Sequence, residues 1–499
     1  MGNKISQKAK DRIFLCKEND GTDLNLSQCN IKRIPKRILR FKKNLKKLNV
    51  GKNTIQEFYG QIEKFLYLET LIAESNELKE TCAQLSKLEY LTYLDVSNNI
   101  LSVVPNNLKA LITLNISYNS IQSFGNTTIV LPSLQELIYT HNKVSIFPTE
   151  ILELRTLRRL NLAGNRLNYL PDEISHLSET LVELNISDNV FTSFPTPIAS
   201  LLNLETLSLS GNNLGTLSNN FTTLSKLISI NFSNCSLTSF DFDLSQLTNL
   251  QEIYLSENRI SQFGPLTCTS ICSILNTIRI LDLSNGAFTQ VPKQIGWCKN
   301  LRRLLLGQNQ LTKIPGELFL LNPSIDIILI PNPLEYPLGE WIKEGIPTFL
   351  RNLKPYMKCY GPNCTISDLG SELKAMAPNQ FIINAFDYDN QPRVSGGDDF
   401  KVQMLLNGTN NRAENDGAVT NIAVSDESTT IPVTSPQQPF PMRSSLFFKT
   451  IDCIVKDNKQ TKPGTYTVFF NSPQTGSYSL NITSDGLPIK GSPFFVELN

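Results

Sequence analysis

Leu157-Arg158-Arg159-Leu160-Asn161-Leu162-Ala163-Gly164-Asn165-Arg166-Leu167 places apolar side chains at positions one, four, six and eleven, and asparagine at position nine. Positions four and six sit on one face of a short strand, because strand side chains alternate with a period of two. The same spacing recurs from Leu45, Leu68, Leu91, Leu111, Leu134, Leu181, Leu204, Leu227, Leu250, Ile278 and Leu301. The step is mostly 23 residues, with a short one of 20 between Leu91 and Leu111 and a long one of 28 between Leu250 and Ile278. A partial copy runs through Leu24, Leu26, Cys29 and Ile31, and a degenerate one through Ile325, Ile328 and Ile330. A fixed period of this length marks one unit that buries its apolar face only by stacking on its neighbours.

Position nine is asparagine in ten of the twelve full copies; Cys235 and Gly286 interrupt it. A buried amide there carries both donors and acceptors, so it can satisfy backbone groups that a turn leaves unpaired. Cysteine partly fills the slot, and Gly286 is the weaker link. The second half of several copies repeats an apolar-proline signature, as in Phe147-Pro148 with Ile151 and Leu154, and Leu170-Pro171 with Ile174 and Leu177.

These repeats resemble the 23-residue leucine-rich-repeat class of Ras-pathway scaffolds and Scribble-like cortical proteins. The resemblance implies an α/β leucine-rich-repeat solenoid: one parallel sheet, with a convex side mostly irregular or in short helices. It would span residues 21–334 in 13 to 14 coils, an arc of roughly 60 Å at about 4.8 Å per strand. Such arrays need capped ends. Residues 1–20 form a basic arm that supplies one cap. Residues 335–356, with Trp341, Ile342, Ile346, Phe349, Leu350 and Leu353, read as a closing helix and linker.

The third, fifth and eighth positions of each coil face solvent on the sheet side. Most fifth positions are Asn or Asp, which suits a solvated ladder without a ligand. Tyr93, Tyr118, Ile138, His141 and Arg159 depart from that ladder on consecutive coils. Clustered aromatic, aliphatic and arginine side chains are the composition of a protein-binding hot spot. A second, weaker group centres on Tyr254 with Glu257, Arg303 and Gln308.

Beyond residue 356 the period stops. Phe381–Phe386, Phe400–Leu406, Tyr466–Phe470, Tyr478–Ile482 and Phe494–Leu498 alternate like strands of an all-β immunoglobulin-like sandwich. Gly464-Thr465-Tyr466, Gly476-Ser477-Tyr478 and above all Ile489-Lys490-Gly491-Ser492-Pro493-Phe494 resemble a filamin repeat of the gelation-factor kind. Pro463 stands where that pattern usually has Asp. The domain, 357–499, carries an insert near 407–450, between the third and fourth strands by the resemblance. Filamin repeats accept partner peptides there by strand addition, so the insert either masks that edge or enlarges it. The resemblance also raises homodimerisation through this domain.

The net charge of +1 hides a division: residues 1–52 hold 15 Lys and Arg against four acidic residues, a balance of +11 that leaves −10 for the rest. Met1-Gly2-Asn3-Lys4-Ile5-Ser6 fits N-myristoylation at Gly2. One acyl chain binds membranes only marginally, so Lys4, Lys8, Lys10 and Arg12 are read as the second, electrostatic signal. The bland alternative is a solvated basic cap with an unmodified Gly2. Nucleic acid is disfavoured, because no aromatic-interleaved basic groove accompanies these charges.

No apolar run is long enough for a transmembrane helix, and no apolar stretch of a signal peptide opens the chain. Scattered cysteines then read as reduced thiols of a cytoplasmic protein. Only His141 and His176 are available for acid–base work. Cys268-x3-Cys272 with Cys298 is the best metal candidate, but it lacks a fourth ligand. We therefore expect no enzyme activity, metal or cofactor. The expected function is a scaffold at the inner plasma membrane or actin cortex. A regulator binding a small GTPase or a phosphatase is the alternative, and an extracellular adhesion protein is the remoter one.

Overall fold

The computed structural model describes residues 6–18, 20–80, 83–124, 129–354, 364–369, 373–375, 377, 379–386, 400–406, 450–451, 453–458, 465–472, 475–484 and 487–498. Gly2, Lys4, Pro463, Gly464 and the body of the 407–450 insert lie outside them. The chain divides into two compact units, one of Met1–Pro292, Cys298–Ile314 and Leu321–Phe349, which holds most of the repeats, and one of Leu350–Asn499 with Lys293–Trp297 and Pro315–Leu320.

Among the described residues, fourteen three-residue strands, from β1 (Asp23–Asn25) to β14 (Asp326–Ile328), form one sheet in chain order. Every pairing is parallel and in register. Leu48 stands opposite Leu71, Leu71 opposite Leu94, and so on to Leu304 opposite Ile327. Position four therefore becomes a continuous inner row, fully or nearly fully buried throughout.

Asparagine at position nine ties each coil to the one before it. Asn165 Nδ2 donates to the Tyr139 carbonyl of the preceding coil at 2.8 Å and to Leu162 of its own at 2.9 Å, while its Oδ1 accepts from Val144 N at 3.2 Å. Asn53, Asn76, Asn99, Asn119, Asn189, Asn212, Asn258 and Asn309 repeat this pattern. Cys235 keeps the donor half, its thiol reaching the Leu209 carbonyl at 3.2 Å. Burial pushes that thiol up to about 11, so it stays protonated and able to donate. Gly286 supplies neither half, and a Cβ there would stand 2.8 Å from Asn309 Oδ1.

The return segments are short 3-10 turns, such as Thr149–Glu153, Asp172–Leu177 and Thr196–Ser200. Each follows a proline whose ring fixes φ near −72°, ready for the turn. Ile151, Ile174 and Ile198 are thereby fully buried.

The long step is explained by an added helix, α2 (Pro265–Ser270). Asp241 Oδ1 caps it by accepting from Leu266 N at 2.7 Å. Gly264 is required because a Cβ would fall 2.1 Å from the Asp241 carboxyl carbon. Thr267 and Ser270 hydroxyls then accept from the amides of Phe242 and Leu244, taking over the stitching role.

The N-terminal cap is α1 (Gln7–Glu18), which buries Ala9, Ile13 and Cys16. At the other end the sequence reading of one closing helix needs correction. There are two, α3 (Leu338–Lys343) and α4 (Ile346–Leu353). Gly345, at φ +103, breaks the path between them. Phe349, Leu350 and Leu353 are buried, whereas α3 buries none of its residues.

The second unit holds two antiparallel sheets. β15 (Thr365–Ser367), β16 (Asn379–Asn384), β20 (Thr465–Phe470) and β19 (Cys453–Asp457) form one in the order β15-β16-β20-β19. β17 (Phe400–Leu406) and β21 (Gly476–Ser484) centre the other, with β18 (Thr450–Ile451) on β17, and β22 (Leu487–Pro488) and β23 (Phe494–Leu498) on β21. Phe381, Ile383, Phe400, Met404, Tyr466, Val468, Tyr478, Leu480 and Ile482 form the core. The pattern is that of the expected immunoglobulin-like sandwich.

Candidate protein-binding surface

Position eight turns left-handed in all twelve full copies: φ lies between +50° and +70° from Lys52 to Gln308. Glycine, asparagine and aspartate tolerate this region, and Gly164, Gly211, Asn98, Asn234, Asn285 and Asp188 fill several of these sites. Lys52, Ser75, Glu257 and Gln308 hold four more of these sites, and Tyr118 (φ +53) and His141 (φ +50) the remaining two. A bulky residue there costs on the order of 1 kcal/mol. Their rings stack face to face, centroids 4.2 Å apart and 9° from parallel. The imidazole then lies over Gly164, where a Cβ would meet it at 2.9 Å. Both rings remain exposed on adjacent coils.

The other expected contacts sit on the strands. Tyr93 is half-buried on β4 (Tyr93–Asp95), and burial, then the Asp95, Glu136 and Glu74 carboxylates, push its phenol up. Arg159 pairs with Glu136 on the neighbouring strand at 3.2 Å, and that hydrogen bond pushes the guanidinium's pKa up. Thr113 donates to the same carboxylate at 3.2 Å. Thr113, Glu136 and Arg159 are thus a cross-strand row, set by their shared register. Ile138, Asn161, Glu183 and Asn185 line a depression beside it. Tyr93, Tyr118, Ile138, His141 and Arg159 are therefore brought onto one stretch of sheet. Tyr254 lies five strands beyond Ile138, its hydroxyl donating to Glu252 at 3.2 Å.

The sequence reading passed over three features. Glu136, Glu183 and Thr113 were legible as third positions of successive copies. The left-handed position eight was signalled by its Gly, Asn and Asp content. Tyr67 and Tyr90, stacked at 5.9 Å just before two strands, flank Lys43, Lys46 and Glu69 in another recess; the cue was an aromatic repeated one residue ahead of position one.

At the N-terminus Lys8 and Lys10 are exposed. Arg12 is not free: Nη1 donates to the Ser27 carbonyl at 2.6 Å and to Asn25 O at 3.3 Å, pinning α1 to the first coil. Cys298 is buried and its thiol is pushed up to about 12, mainly by burial. Among the described residues no group of three His, Cys, Asp or Glu side chains is placed to hold a metal ion.

The sheet, the asparagine ladder and the sandwich define a repeat-solenoid protein with an immunoglobulin-like module. A family model described as Filamin/ABP280 repeat matches residues 356–495, and leucine-rich-repeat models match 156–177, 203–224 and 225–268. A leucine-rich-repeat protein of Leptospira interrogans is 30% identical, covering 68% of this chain and 83% of its own, with a TM-score of 0.57. The chain belongs to the leucine-rich-repeat family. An internalin from Listeria monocytogenes (21% identity, 62% of this chain and 87% of that one, TM-score 0.51) shares the fold. So does the functional domain of InlJ from the same organism (17%, 94% and 86%, TM-score 0.50). A search of curated proteins returned no match. Leucine-rich repeats and a filamin repeat are binding modules, typically non-enzymatic, and together they indicate a protein-interaction scaffold.

Proposed function

We propose that the chain is an adaptor at the cytoplasmic face of the plasma membrane or the actin cortex, gripping a protein partner on the sheet face around Tyr118, His141 and Arg159. The observation that carries this is the Tyr118–His141 stack on left-handed backbone, an arrangement that costs stability and keeps both rings in solvent. Flat, rigid aromatic area next to a charged pair is the composition that anchors protein partners. The 23-residue step supports a place in the Ras-pathway or Scribble-like class, whose partners include small GTPases and cortical proteins.

The domain plan that fits this reading is an arm (1–20), a solenoid (21–334), a closing segment (335–356) and a filamin-type domain (357–499). Acylated Gly2 with Lys4, Lys8 and Lys10 would tether the arm. In the filamin-type domain, β18 pairs with the outer edge of β17 through Met404–Ile451 and Leu405–Thr450. Thr450 and Ile451 are the first described residues after 406, so the end of the insert pairs with β17, which supports masking of the strand edge that partners would otherwise join.

Comparative affinity capture tests the reading. Wild-type protein is compared with Tyr118→Ser/Arg159→Glu and with Ile146→Ser/Tyr169→Ser, two exposed residues beyond position eleven of their coils. Partners lost only from the first variant are expected; equal recovery from all three would refute it. Cortical proteins or GTPases among those partners would assign the class.

A further inference from the structure

The outer face of the N-terminal cap carries an adjacent apolar pair, Phe14 at 60% and Leu15 at 57% exposure. A cap ordinarily turns a polar face outward, because exposed apolar area at the end of a repeat array promotes association. Nothing in the helix requires these two residues: Ala9, Ile13 and Cys16 already supply its buried side. The face cannot roll inward to hide them. Arg12 clamps α1 to Ser27, and Arg40 Nη2 donates to the Ile13 carbonyl at 3.2 Å.

At 100° per residue Lys10 and Lys17 lie on the far side of Phe14 from Leu15, and Lys8 lies beside Leu15; all three lysines are exposed. Asp11 and Glu18 lie between Phe14 and Leu15 on the same face, Asp11 engaged by the Gln7 amide at 2.8 Å. The N-terminal region as a whole is nevertheless strongly positive. Lys32, Arg33, Lys36, Arg37, Lys42 and Lys43 are exposed on the first coils, within the region whose balance is +11. Apolar side chains flanked on both sides by lysines, in a region of strong positive charge, match an anionic bilayer surface, with the apolar groups entering the acyl boundary and ammonium groups meeting headgroups.

We propose that Phe14 and Leu15 form a wedge by which the N-terminal cap inserts into anionic lipid. This deepens the membrane reading above by naming its contact residues, and it requires no acyl chain. The test uses full-length protein made without an acyltransferase, sedimented with phosphatidylcholine vesicles with and without phosphatidylserine. Wild type is expected to bind only the anionic vesicles, and Phe14→Ser/Leu15→Ser to bind them at least about tenfold more weakly. Phe14→Trp should give emission above the wild-type background of Trp297 and Trp341 that shifts blue on binding and is quenched by brominated lipid. Equal binding of the serine variant, or unshifted emission, overturns the wedge and leaves simple charge attraction. Loss of self-association in the serine variant, with no vesicle binding by wild type, assigns the patch to a second copy and also overturns it. Acylated wild type and acylated serine variant bound alike would defeat the wedge while sparing the Gly2 tether. Acylated wild type that binds no vesicle would defeat both.

Discussion

The solenoid and the sandwich bury similar residues by different rules. In the solenoid each inner side chain meets its counterpart one coil away, as Leu137 meets Leu160, so one coil's pattern predicts the next. In the sandwich Phe400 pairs with Ser484 and Asn379 with Phe470, partners separated by more than 80 residues. Stability in the first is a sum of neighbour terms. In the second it depends on closing long loops around one core. A defect in the solenoid should therefore be felt between two coils, and one in the sandwich throughout that unit.

The largest expected effect is at the ladder. Asn165→Ala leaves the Tyr139 carbonyl and the Val144 amide buried without their partner, costing about 3 kcal/mol in chemical denaturation. A loss below about 1 kcal/mol would mean that water or neighbouring groups replace the amide. Next comes the sandwich, where Ser472 Oγ and Tyr478 OH lie 2.8 Å apart in the core. Ser472→Ala should cost about 1 kcal/mol, with the loss confined to the transition of that unit in calorimetry.

Tyr139→Phe should move the other way. The Tyr139 hydroxyl is buried with no hydrogen-bond partner among the described residues, and burial pushes its phenol up. Removing it is expected to leave thermal stability unchanged or raised by up to about 1 kcal/mol; a clear loss would reveal an internal water. The smallest effect falls on the solvent face. Tyr118→Asn should be neutral or slightly stabilising, since asparagine accepts the left-handed backbone better, yet it should weaken partner capture.

The interior of the solenoid was legible because burial and period coincide at Leu48, Leu160 or Ile253, and Asn at position nine has one geometric use. Phe381, Tyr466 and Tyr478 were readable as sandwich core by alternation, but not their partners, because pairing across long loops leaves no local mark. The closing segment was misread as one helix because its apolar spacing is helical, although Gly345 and Pro347 break it. Of the candidate surface, the residue identities were visible. The Tyr118–His141 stack, the Glu136 clamp on Arg159 and the inward turn of Arg12 were not, since each depends on side-chain direction across coils.

Hydrogen exchange resolved to short peptides, run on wild type, Asn165→Ala and Tyr118→Ser/Arg159→Glu, separates interior from surface most directly. Faster exchange around Tyr139–Val144 in the ladder variant alone, with wild-type protection in the surface variant, is the expected result. Equal deprotection in both, or faster exchange only in the surface variant, would contradict the division between a stitched interior and a face left free for partners.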